Sequence, residues 1–232
     1  METSVSSAAQ ATRKTISTVL VSRWGWTAAM LFVGWASIDF LLGVYGKYHD
    51  PSESTYTMFW SRKEWLWVHL TGGAGALTLG AIQFATQSLQ SLRRLHRWMG
   101  RVYMAFVALG CAGAAGLIST SPAPTVISSA FVGTALAWAI TAAAGWAAIR
   151  AGQVVAHRRW MVRNFLVTLA PITFRLLIEI PAVQAAGLSP AAISGWLTVS
   201  WLLPLLVAEA AFRVVDASWG RKRPSVLAGS KL

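Results

Sequence analysis

Six long apolar stretches divide the chain, roughly Trp24 to Tyr45, Trp65 to Phe84, Val102 to Ile118, Val126 to Ile149, Trp160 to Ile180 and Ile193 to Phe212. About 20 apolar residues cross a bilayer as a helix, and each stretch approaches or exceeds that length. A backbone in lipid must satisfy its own hydrogen bonds, so the stretches predict helices. None shows the alternation of an outer-membrane barrel strand. The predicted fold class is therefore all-α, an integral membrane bundle of six transmembrane helices. Of the 232 residues, 12% are charged, about half the share of an ordinary soluble domain, which excludes a soluble enzyme. Six crossings leave no room for a separate catalytic domain. The expected parts are a tail over 1–23, a six-span domain over 24–213 and a basic tail over 214–232.

The net charge of +12 sits in short runs between the apolar stretches rather than on one solvated face, which argues against nucleic acid as a partner. It reads instead as topology, because short cytoplasmic loops hold Lys and Arg. One side carries Arg13, Lys14 and Arg23, then Arg93, Arg94, Arg97 and Arg101, then Arg150, Arg158, Arg159 and Arg163, then Arg213, Arg221, Lys222, Arg223 and Lys231. The other side has only Lys47, Arg62 and Lys63. Both termini are thus expected in the cytoplasm. The first stretch is longer than a signal-peptide core, contains Asp39 and lacks an A-x-A-like cleavage site, so it is expected to stay. The final Ser230, Lys231 and Leu232 match a peroxisomal address, and residues 3 to 23 are Ser-rich and acid-poor like a transit peptide. A six-span protein is poor cargo for a soluble-matrix route, which leaves a bacterial inner membrane as the expected location. The single Cys111 excludes an intramolecular disulfide and any cysteine-based metal cluster.

Small residues recur every four positions at Gly72, Ala76 and Gly80, and at Gly133, Ala137, Thr141 and Gly145, stripes that let helices approach closely. Pro171 and Pro204 are expected to kink the fifth and sixth spans. Trp24, Trp26, Trp60, Trp65, Trp67, Trp98, Trp160, Trp196 and Trp219 lie near span ends, as interfacial anchors do.

Ionisable groups at membrane depth are costly and mark candidate sites. Counted from the span ends at about 1.5 Å per residue, Asp39, His69, Arg175 and Glu179 all fall within roughly 3 to 9 Å of the outer interface. Arg175 and Glu179 are also four apart and can share a helix face. These residues are expected to form an outward-opening polar pocket or, equally well, an ion-pair network that sets helix register. On the cytoplasmic side, LHRWMGRVY over 95–103 and AHRRWMVRNF over 156–165 repeat a pattern of His, Arg, Trp, Met and Arg at the starts of the third and fifth spans. His96 and His157 thus sit at similar depth on helices running the same way. Three uses fit: axial ligands of a haem b whose propionates meet Arg97, Arg101, Arg158 and Arg163, a headgroup or quinone site, or plain helix starts with basic anchors. Glu209 lies at the same level and can pair with one of these arginines, and Gln83 ends the second span nearby. His49 reads as a solvated loop residue, unless its loop folds over the outer pocket toward His69. No phosphate-binding loop, nucleophile elbow or H-E-x-x-H helix occurs, so nothing points to nucleotide hydrolysis, serine acyl transfer or zinc proteolysis.

The runs HLTGGAGALTLGAIQF from His69, HRWMGRVY from His96 and HRRWMVRNFLVTLAPITFRL from His157 resemble a family of bacterial membrane proteins known as domain of unknown function 2306. The resemblance covers roughly residues 65 to 180. Its matching positions are His69, Gln83, His96, Arg97, Gly100, Arg101, Tyr103, His157, Trp160, Met161, Arg163 and Arg175. The resemblance implies a membrane protein and no particular activity. A looser likeness to transmembrane cytochromes b and ferric reductases departs at the outer layer, where a single histidine stands instead of a facing pair; one haem fits better than two. Two readings follow. One is a haem- or quinone-linked redox component, and the other a solute or proton carrier, sensor or assembly partner without redox chemistry. The partners implied are the bilayer, a quinone or other small ligand, and a second copy of the chain.

The cation count makes a direct prediction about sidedness. A cysteine placed at Ser54 should react with an impermeant maleimide added outside the cell, and one at Ser225 should be protected; the opposite pattern would overturn the orientation.

Overall fold

The computed structural model describes residues 25, 27–86 and 89–220, and every element among them is helical. Helix α1 runs over Thr27–Tyr48. A strap follows, made of α2 (Glu53–Tyr56) and a 3-10 turn over Thr57–Arg62. The long helices are α3 (Lys63–Thr86), α4 (Arg93–Ser119), α5 (Thr125–Arg150), α6 (Val154–Thr168), α7 (Ala170–Ile178) and α9 (Pro190–Gly220), with a short α8 (Pro181–Ala185) before the last. The sequence reading did not anticipate α2, the 3-10 turn or α8.

Turn chemistry sets the connections. Pro124 stands just before α5, and Gly152, at φ 72°, takes the left-handed conformation that lets the chain turn from α5 into α6. These short links make α4, α5 and α6 successively antiparallel, so α4 and α6 run the same way. Pro171 lies in the first turn of α7, where its missing N–H and its ring stop α6 from continuing; the axes of α6 and α7 differ by 45°. Pro204 leaves α9 as one uninterrupted helix.

Among the described residues, Thr27–Tyr48, Arg93–Ser119, Thr125–Arg150 and Pro190–Ala217 are long and apolar enough to cross a membrane, and the bent α6–α7 pair makes a fifth candidate. Helix α3, counted as a span from sequence, has 24 residues but is diluted by His69, Gln83 and its glycines, and falls short on apolarity. The dilution serves packing. Of the most apolar windows in the four spans, only 11–28% is buried, and Leu31, Trp35, Leu42, Leu136, Ile140, Leu206 and Val207 all point outward. An apolar exterior of this extent is the surface of a lipid-facing bundle. Helix α9 runs beyond 213, to Gly220. The expected tail over 1–23, Trp24, Trp26 and the terminal Ser230–Leu232 lie outside the described residues.

The tightest contact joins α3 to α4. A methyl group on Gly72 would lie 2.2 Å from the Gly110 amide nitrogen, one on Gly113 would lie 2.3 Å from the His69 nitrogen, and Gly116 receives the Trp65 ring. The stripe on α3 therefore meets glycines on α4, whose spacing of three the sequence reading had passed over. The stripe on α5 is split, because Gly145 faces Met161 while Gly133 meets nothing within 4 Å. Around the α3–α4 contact, Ala76, Tyr103, Val107, Trp138, Ala142 and Val167 form one core cluster. A second, of Ala36, Leu77, Phe165 and Ile172, attaches α1.

Overpacking a close contact of this kind costs about 1–3 kcal/mol. Gly72→Ala should therefore lower the thermal midpoint in detergent, whereas Gly133→Ala should leave it unchanged; equal effects would contradict the packing.

Candidate functional site

The basic end of the bundle, where α4 and α6 begin, gathers most of the residues singled out from sequence. His157 lies in the first turn of α6, and its Nδ1 is 2.8 Å from the carbonyl oxygen of Gly145. A carbonyl can only accept, so Nδ1 directs a proton at it. Gly145 permits this approach because it has no side chain to hold the helices apart. His96 occupies the matching turn of α4, half-buried, with an Nδ1 that is buried and has no hydrogen-bond partner. Gln83 Nε2 donates to the backbone oxygen of His96 at 3.3 Å. His157 and Arg158 lie within electrostatic reach of His96. The structure thus joins His96 and Gln83, and sets His157 in the matching first turn of the parallel helix.

The arginines divide into two groups. Arg97, Arg101 and Arg158 are exposed and make no ion pair among the described residues. Arg163 instead donates to Glu209 at 2.5 Å, the pairing anticipated for Glu209, and Arg159 holds Asp216 through two hydrogen bonds of 3.0 and 2.5 Å. The phenyl ring of Phe212 lies 5.2 Å from both of these guanidinium carbons. Asp216 was missed from sequence, although the signal exists: Arg159 and Arg163 are four apart, Glu209 and Asp216 seven apart, so each pair shares a helix face. An open depression beside this contact is lined by Gln153, Val154, Val155, Ala156, Arg159, Trp160 and Arg163, and does not include the two histidines. Among the described residues no three His, Cys, Asp or Glu side chains converge on one point. Two imidazoles are what this end offers.

At the far end the four residues of the expected polar pocket stand apart in their contacts. His69 turns into the bundle, its Nδ1 2.9 Å from the Gly110 oxygen and its ring edge-on to Trp138. Arg175 is exposed on α7, with its guanidinium 5.3 Å from the Phe40 ring and beside Gly43. Asp39 and Glu179 are exposed, and neither forms an ion pair with Arg175 among the described residues. The aromatic face of Phe40 is the partner the structure supplies to Arg175. His49 caps the end of its own helix, with Nδ1 2.9 Å from the Gly46 oxygen, and stacks on Tyr45.

Between the two ends lies a buried polar network that sequence reasoning overlooked. Tyr103 donates to Asn164 Oδ1 at 2.5 Å. Asn164 Nδ2 donates to the Trp138 oxygen and to Thr141 Oγ1, both at 2.9 Å. Trp138 Nε1 donates to Thr168 Oγ1, also at 2.9 Å, and the Thr168 hydroxyl returns to the Asn164 oxygen. Asn164 is fully buried. The clue was three polar residues, Thr141, Asn164 and Thr168, standing inside apolar runs. Hydrogen bonds between helices in a membrane couple by about 0.6 kcal/mol on average and up to about 1.7, so a cycle of Tyr103→Phe with Asn164→Leu should give a coupling in that range by thermal or denaturant unfolding. Strict additivity would show that the contact is idle.

The chain matches a family described as "Predicted membrane protein (DUF2306)" over residues 66–212. That is more than half of its length, and it takes in α9 as far as Phe212, beyond the region covered by the sequence motifs. Neither a curated protein nor a solved structure gives a match. With its histidine-bearing helix starts, the glycines of its α3–α4 contact and the Arg163–Glu209 ion pair inside the matched region, the chain belongs to this family of predicted membrane proteins.

Proposed function

We propose that the protein is a six-span redox component of a bacterial inner membrane, with both termini in the cytoplasm and one haem b held between His96 and His157. The observation that carries the reading is the placement of these two imidazoles in matching first turns of parallel helices, with Nδ1 of His157 held by Gly145 and the buried Nδ1 of His96 without a hydrogen-bond partner. When bound, the haem supplies one-electron chemistry, and a quinone is a suitable partner for it in the membrane. Arg97, Arg101 and Arg158, free of acids among the described residues, would be the residues to meet its propionates. Arg163, engaged by Glu209, has the task of holding α6 on α9, and Gln83 fixes the backbone at His96. Six spans follow if α3 crosses as an inner helix, sheltered by its neighbours, and α6–α7 crosses as one bent span.

A second reading, a non-redox proton or solute carrier, draws on a different observation. His69 at the far end has its Nδ1 2.9 Å from the Gly110 oxygen, which sets an imidazole ring inside the bundle. Asp39, Arg175 and Glu179 surround that end in sequence depth. Colour separates the two. Protein purified from haem-sufficient cells should show the reduced-minus-oxidised spectrum of one low-spin b-type haem, and His96→Ala or His157→Ala should abolish it or convert it to high spin. A colourless preparation would end the redox reading.

A further inference from the structure

The helices α3 to α6 close a ring: α3 packs on α4, α4 on α5, α5 on α6 and α6 back on α3. Exchanging the hairpin α3–α4 with the hairpin α5–α6 leaves this pattern of neighbours unchanged. The sequence repeats in the same way, with His96 and Arg97 opening α4, and His157 and Arg158 opening α6. Tyr103 and Asn164 each lie seven residues after their histidine, and these two side chains meet across the ring. Seven residues are about 20° short of two full helical turns and rise about 10 Å. Positions seven apart therefore share a face, and residues whose +7 partners touch must themselves face the same seam, about 10 Å nearer the basic end.

We infer that α3–α4 and α5–α6 are two copies of one hairpin related by a pseudo-two-fold axis along the bundle, and that the site at the basic end lies on that axis, taking one imidazole and one arginine from each copy. Parallel repeats around such an axis are a recurrent plan among membrane proteins. The Tyr103–Asn164 hydrogen bond floors the site, because it closes the seam two turns in. The ligand that fits is a metal macrocycle carrying two acid groups, for which His96 and His157 would supply one imidazole each. Arg97 and Arg158, equivalent in the repeat, then take one acid group each. The copies differ in detail, since Gly145 receives the ring of His157 while Gln83 holds the backbone of His96.

The identity of the ligand rests on the proposed haem reading; the axis does not, and the test separates them. In a Cys111→Ser chain with a protease site between α4 and α5, three cysteine pairs are compared for joining by a short bifunctional maleimide: His96→Cys with His157→Cys, Arg97→Cys with Arg158→Cys, and Tyr103→Cys with Asn164→Cys. The first and third pairs should hold the cleaved halves together, and the second, turned about 100° away from the seam, should not. Linking at 103 and 164 without linking at 96 and 157, or efficient linking at 97 and 158, would overturn the axis. So would the absence of any linked product. Linked but colourless protein would retain the axis and discard the haem. In coloured protein, Arg97→Gln and Arg158→Gln should lower the haem reduction potential by similar amounts, and a shift from only one of them would refute the shared role.

Discussion

Where α3 crosses α4, a methyl group on Gly72 would lie 2.2 Å from the Gly110 amide nitrogen, and much of the bundle is placed by that approach of backbone to backbone. It brings the Gly110 carbonyl within reach of His69, and it lets Trp65 lie on Gly116. In lipid there is no hydrophobic force to press helices together, so dispersion between closely fitted surfaces and a few interhelical hydrogen bonds must do so. The same logic operates at Gly145, where a missing side chain exposes a carbonyl to His157. Both contacts hold the histidine through an Nδ1–H directed at a backbone carbonyl.

Charge at the basic end is organised by what α9 brings to it. Glu209 and Asp216 engage Arg163 and Arg159, and Phe212 lies against both guanidinium groups. Arginine suits this place, since its planar group makes paired hydrogen bonds and stacks on an aromatic face together. The consequence is a division of labour among residues that look alike in sequence: two arginines bind α9, while Arg97, Arg101 and Arg158 remain open to the surface. A similar reassignment occurs at Arg175, which rests on Phe40 instead of a carboxylate.

The polar network in the middle joins α4, α5 and α6 in a way that resists sliding. The bonds that cross between helices, from Tyr103 to Asn164, from Asn164 to Trp138 and Thr141 and from Trp138 to Thr168, depend on register, and a shift of one residue would strand several buried groups, at about 1–3 kcal/mol for each unsatisfied one. Its amide, hydroxyl and indole groups carry no formal charge, so they satisfy one another without the desolvation cost of a buried ion pair.

Much of this architecture was readable in advance. Long apolar runs dictated helices, because only a helix satisfies its backbone in lipid, and Pro171 foretold the bend before α7 because it lacks an N–H. The matching patterns around His96 and His157 predicted equivalent places in the first turns of their helices, since such a place follows from counting residues along one segment. Azimuth and partner were different. Whether Arg163 meets a propionate or Glu209, whether Arg175 meets Glu179 or Phe40, and whether Asn164 finds Tyr103 depend on rotations and crossings of helices far apart in the chain. The glycines on α4 carried their meaning only once α3 lay against them. Sequence by itself determined the helices, their apolar character and the place of each histidine along its helix, because these are properties of one segment; the tertiary structure alone decided which groups touch, because a contact belongs to two.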